Sequence, residues 1–188
     1  MRALVIVLMI VASGAWANEY RWTPADWKFT PDGYLIVDGE AVMEGNEQVQ
    51  RITFNYLDGY LWEGAEAGHP LEFRQMVGGK MSARLLELIR NHRIPTRIRA
   101  GRVHSAGAFA WFAGVDCRSV AAGAPCRSIA AGAKACFHQP SGEVEAYRRA
   151  LASSGADAEF QSMAMAKSGQ AVWCPDHGTL GRNGVRVQ

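Results

Sequence analysis

No cysteine occurs before position 117, and none of the four that follow belongs to a C-x-x-C pair. The spacing of a structural zinc site is therefore missing. No apolar run reaches the roughly 20 residues that span a bilayer; the one at the start, Ala3 to Val11, has nine. An excess of one charge is absent too. The 20 Lys and Arg against 18 Asp and Glu leave a formal +2, which gives no electrostatic case for nucleic acid. Arg84, Arg90, Arg93, Arg97, Arg99 and Arg102 are scattered as on a solvated helix face and a strand edge, not gathered as a phosphate track.

The N-terminus reads as a secretory signal. Arg2 supplies the basic start, Ala3 to Val11 the apolar run, and Ala15-Trp16-Ala17 the small-residue cleavage site. Cleavage before Asn18 would leave a soluble, near-neutral mature chain in a periplasmic or secreted location. Residues 18–32 form a Trp- and Pro-rich lead-in, with Trp22, Trp27, Pro24 and Pro31, expected to pack aromatics onto the domain. Residues 33–188 suit a single domain with its own core.

An even cysteine count in an exported chain suggests two disulfides. Of three possible pairings, Cys117–Cys126 and Cys136–Cys174 are favoured. The first closes a short Gly/Ala-rich loop; the second ties the C-terminal tail to the strand that leads to His138. No metal and no cofactor is implied.

Tyr34 to Val37 is apolar and β-branched, and predicts a strand that Glu40 to Met43 continues. Glu44-Gly45-Asn46 predicts a turn into a helix near Glu47 to Phe54. Gly64 to Pro70 has loop chemistry. Leu71 to Val77 alternates as a strand and is broken by Gly78-Gly79. Lys80 to His92 predicts a helix with Met81, Leu85, Leu88 and Ile89 on one stripe, and Thr96 to Gly101 an extended segment. Ser105 to Ala113 is apolar all round and predicts a buried helix. Cys117 to Pro125 is nearly repeated as Cys126 to Lys134, a duplication expected to lengthen a hairpin loop. A strand at Ala135 to His138 and helices at Glu143 to Ala152 and Asp157 to Lys167 follow. From Cys174 onward the chain reads as Gly-rich and irregular. The order predicts α/β layers, with helices on a sheet.

Two short stretches carry candidate chemistry. Ser105-Ala106-Gly107-Ala108-Phe109 sets a serine among small residues at a helix start. Phe137-His138-Gln139-Pro140 places a histidine at a strand end, 33 positions later. Together with Leu35 to Glu40 and with Leu71 to Gly79, these stretches resemble the Clp-protease/crotonase superfamily, and most of all exported proteins of the Clp proteolytic-subunit type. The likeness covers roughly residues 33 to 145. It implies a layered sheet of repeated ββα units with flanking helices. It also implies a serine peptidase in which Ser105 is the nucleophile and His138 the general base. The N–H groups of Gly79 and Ala106, at the starts of the two helices, would hold the oxyanion, and Gly78-Gly79 would let the backbone approach a substrate. An extended peptide or a small acyl compound would be the partner, and an oligomer is allowed for.

The acid is the least marked member. If Cys136 and Cys174 are bonded, their Cβ atoms lie about 3.8 Å apart. His138 and Asp176 each follow one of these cysteines by two residues, so the bridge would bring Asp176 near His138. Asp157 and Glu159 are the other acids considered, and His104 directly precedes the serine. A dyad without an acid and a catalytically silent binding protein stay open. Acyl-thioester chemistry of the crotonase branch fits poorly with export.

Overall fold

A computed structural model describes residues 27–37, 40–44, 47–51, 63–75, 83–140, 142–166 and 172–188. The signal segment, most of the lead-in, and Gly78 and Gly79 lie outside the described residues. What is described is a mixed α/β fold built on parallel sheets. β1 (Leu35–Val37), β4 (Leu71–Phe73), β5 (Thr96–Ile98), β7 (Ser128–Ile129) and β9 (Arg186–Val187) form the main sheet in that spatial order, every pair parallel. β6 (Arg102–His104) and β8 (Lys134–Cys136) make a second, two-stranded parallel sheet. β2 (Glu40–Glu44) and β3 (Glu47–Arg51) make an antiparallel pair.

Strands buried on both faces need nearly continuous apolar sequence, and Leu35-Ile36-Val37 supplies it. Glu72 and Arg97 interrupt the pattern in β4 and β5, yet both are buried. They stand opposite one another in the ladder and pair, Arg97 Nε donating to Glu72 Oε2 at 2.7 Å. The same guanidinium reaches Asp32 and lies 3.6 Å over the Tyr34 ring, so residues 27–34 are held against the sheet.

The helices form where apolar residues recur. α1 (Ala83–Asn91) buries Ala83, Leu85, Leu86 and Ile89, and stops where Arg93 turns to φ 52° ahead of Pro95. α2 (Ala106–Phe112) is buried along its whole length. α3 (Val144–Ser153) and α4 (Ala158–Ala164) follow as expected. The order β5, β6, α2 recurs as β7, β8, α3, with β5 beside β7 and β6 beside β8.

Four expectations need correction. The helix near Glu47 to Phe54 is instead β3 as far as Arg51; Glu44 faces Glu47, and the alternating Gln48-Val49-Gln50 has the two-residue period of a strand. Residues 63–66 of the expected loop are helical. The duplicated segment is no hairpin, because β7 runs parallel to both its neighbours. The C-terminal tail is ordered: α5 (His177–Arg182) leads into β9 at the sheet edge. Both favoured disulfides, Cys117–Cys126 and Cys136–Cys174, are formed. Among the described residues no helix is long and apolar enough to cross a membrane.

Candidate active site

Ser105 and His138 leave the same end of the same small sheet. β6 and β8 pair in register, His104 opposite Cys136. Ser105 continues that ladder, its N–H donating to the Cys136 carbonyl at 2.9 Å. It therefore stands one residue short of His138 on the next strand. Neighbouring strands lie about 4.8 Å apart, a gap that a serine and an imidazole can span from these positions. Both side chains are half-buried. Carboxyl ends of parallel strands are where α/β folds place their sites.

The backbone at Ser105 is unusual. Its φ of 51° and ψ of −127° lie far from the helix it precedes and outside the regions that L-residues favour. A serine at this position ordinarily accepts a hydrogen bond from the first turn of the helix. Ser105 makes no such cap. The turn swings the hydroxyl away from the helix axis, in the manner of a strand–turn–helix elbow. Holding a residue in such a conformation costs about 1–3 kcal/mol. Ala106 then opens α2, where the first N–H groups have no partner inside the helix.

His138 has a fixed tautomer. Its Nδ1 lies 3.0 Å from the Gln139 carbonyl oxygen. A carbonyl can only accept, so Nδ1 carries the proton in the neutral ring and Nε2 is left as the acceptor. Gln139 was invisible as a candidate because the group that acts is its backbone.

The segment after α4 returns beside His138. Phe137 and Trp173 form an antiparallel bridge with bonds of 2.7 and 2.9 Å, and the Cys136–Cys174 disulfide fastens the same pair of segments. In that register Val172, 41% exposed, falls opposite His138. Asp176 serves another element: its Oδ1 accepts the Thr179 N–H at 2.6 Å as the N-cap of α5. That hydrogen bond holds its carboxyl below the ordinary value. Asp157 likewise caps α4 through the Phe160 N–H and accepts from Asn183. The disulfide thus forms as expected, while the carboxylate it was expected to deliver faces α5. Behind the site, Phe109, Phe112, Phe137 and Phe160 make an aromatic floor with ring centroids 4.6 to 6.2 Å apart. An open cleft of about 720 Å³ lies between α1 and α3, with Arg84, Glu87, Glu143 and Arg149 on its walls; Ser105 and His138 do not line it.

Among the described residues no cluster of three ligating side chains could hold a metal ion. No protein-family model and no curated protein matches the chain. Among solved structures, it is similar to one described as an enzyme, at 8% identity and a TM-score of 0.46 over 73% of this chain and 94% of that one. It is also similar to a point mutant of ClpP1 from Listeria monocytogenes, at 12% identity and a TM-score of 0.39 over 68% of this chain and 80% of that one.

Proposed function

We propose that this chain is an exported serine hydrolase of the Clp-protease type, acting on an extended peptide or a small acyl substrate. The observation that carries the reading is the conformation of Ser105, a positive-φ serine at a helix start that gives no cap. Strain of this kind persists where the surroundings enforce it, and it gathers at functional sites. The succession β5–β6–α2 and β7–β8–α3 supports a layered sheet of repeated ββα units.

In the proposed mechanism His138 Nε2 takes the proton of Ser105 Oγ as that oxygen attacks the substrate carbonyl carbon. The carbonyl oxygen becomes an oxyanion, received by the N–H groups of Ala106 and Gly79. Collapse expels the leaving amine or alcohol with the proton from His138 and leaves an acyl ester on Ser105. Water, deprotonated by the same imidazole, then releases the acid. The Gln139 carbonyl takes the orienting place that a carboxylate would fill. Export rests on the N-terminal signal pattern and is supported by the two disulfides.

A fluorophosphonate probe tests this directly. The full mature chain is expected to label, and Ser105→Ala to lose all labelling while keeping its circular dichroism and melting curve. Equal labelling of the two would refute the proposal. The second reading, a silent binding protein, is favoured by the lack of a carboxylate opposite His138; it predicts that neither protein labels.

A further inference from the structure

Glu143 carries a backbone strain that its own helix does not explain. It sits just before α3 at φ 51° and ψ 30°, left-handed for a residue with a side chain, although the glycine that would take such a turn freely is its neighbour Gly142. Its carboxylate gives α3 no cap. It reaches instead to a helix 60 residues away, where Glu143 Oε2 accepts the Ala83 N–H at 2.8 Å. Ala83 is the first residue of α1, and α1 has no acidic residue in its own first turn. The negative charge therefore satisfies an orphan donor and complements the positive end of α1 from outside. Glu145, the next acid along, is engaged elsewhere, with Arg148.

The two ends of this contact are the two segments that the proposed chemistry must align. Glu143 follows His138 by five residues, with Pro140 between them, and Ala83 follows Gly79 by four. We propose that Glu143 is a positioning residue: its side chain locks the start of α1 to the histidine segment and so fixes the distance between base and oxyanion donors. The proposal rests on the hydrolase reading above. The left-handed backbone is what aims the carboxylate across the gap; a relaxed helical entry would point it along α3. Glu143 does not touch the reacting atoms and takes no proton from them.

Three variants of the full mature chain test it: Glu143→Gly, Glu143→Ala and Glu143→Gln. Glycine adopts the left-handed turn without strain, so it removes the carboxylate while relaxing the backbone. In Glu143→Gly and Glu143→Ala, amide exchange at Ala83 and the following turn should rise about tenfold. Acylation of Ser105 by the fluorophosphonate should slow about tenfold, well below the melting temperature. Glu143→Gln keeps an acceptor oxygen and should restore both rates to within about twofold of wild type. Wild-type acylation in Glu143→Gly overturns the proposal, as does a loss that glutamine fails to rescue. Absence of acylation in the wild type itself marks failure of the hydrolase reading, while the exchange rates separately report whether Glu143 holds α1.

Discussion

At the scale of single residues, the arrangement divides labour in a way that side-chain chemistry alone does not disclose. Asp176 is the test case. Its carboxylate binds the Thr179 N–H and caps α5, while His138 is oriented by a backbone carbonyl. Asparagine caps a helix as well as aspartate does. Asp176→Asn should therefore leave fluorophosphonate labelling of Ser105 at the wild-type rate; a fall of tenfold or more with the fold intact would reassign Asp176 to catalysis. The same substitution has a pH signature. The Asp176 carboxyl lies below its ordinary 3.8 in the folded chain because of the Thr179 N–H. A group depressed in this way stabilises above its unfolded pKa, and that stabilisation is lost as pH falls below about 4. Thermal midpoints between about pH 5 and pH 2 should drop less steeply in Asp176→Asn than in wild type. Ser105 and His138 were legible from sequence because small neighbours and a short apolar strand are local signals. The orienting carbonyl of Gln139 and the long reach of Glu143 were not, since neither depends on residue type at nearby positions.

Among the elements, legibility followed how far each draws its stability from its own sequence. α1 and α2 were readable, one from its stripe of Leu85 and Ile89, the other from an unbroken apolar run. α5 and β9 were not. Gly178, Gly181 and Gly184 dilute the helical signal, yet Leu180 is fully buried and Asp176 caps the start. Gly184 ends the helix at φ 76°, and a Cβ there would come within 2.0 Å of Asp116 Oδ1, so this glycine serves close packing and is no mark of disorder. The Asp-x-x-Thr spacing was the signal that could have revealed the cap. A similar approach joins α2 to the main sheet. A Cβ on Gly114 would lie 2.1 Å from Thr96 Oγ1, the hydroxyl that donates to the Trp111 carbonyl at 2.6 Å. Gly114→Ala must push β5 and the end of α2 apart or break that hydrogen bond. The expected loss is about 1–3 kcal/mol, read from urea unfolding; a loss under about 0.5 kcal/mol would mean that the junction yields freely.

Across the whole molecule, one side chain ties together the ends of elements far apart in sequence. Arg127 is fully buried. Its guanidinium donates to the carbonyls of Phe112, Ser154, Asn183 and Gly184 at 2.6 to 3.1 Å, and stacks 4.1 Å over the Phe112 ring. Those carbonyls close α2, α3 and α5, whose last groups lack partners within their own helices. Burial lowers its pKa to about 10, so the charge persists at neutral pH, balanced by Asp116 at 3.3 Å. The Cys117–Cys126 bridge joins the residues immediately inside this ion pair, which fixes the loop between them without any need for that loop to pack. The Cys-Arg-Ser repeat gave Arg118 and Arg127 the same sequence surroundings, so nothing local distinguished the exposed copy from the buried one; the difference is made by where the helices end. Arg127→Met keeps much of the volume but leaves four carbonyls and the Asp116 carboxylate without their donor. Breaking a buried pair in this way costs about 3–5 kcal/mol, and because three helix ends share the node, the loss should appear as one cooperative shift of the urea transition and not as local fraying. Arg127→Lys, with three donors for those acceptors, should recover only part of it. An Arg127→Met chain within about 1 kcal/mol of wild type would mean that water or a shift of α5 satisfies those carbonyls, and that the C-terminal strand is held by its ladder with β7 alone.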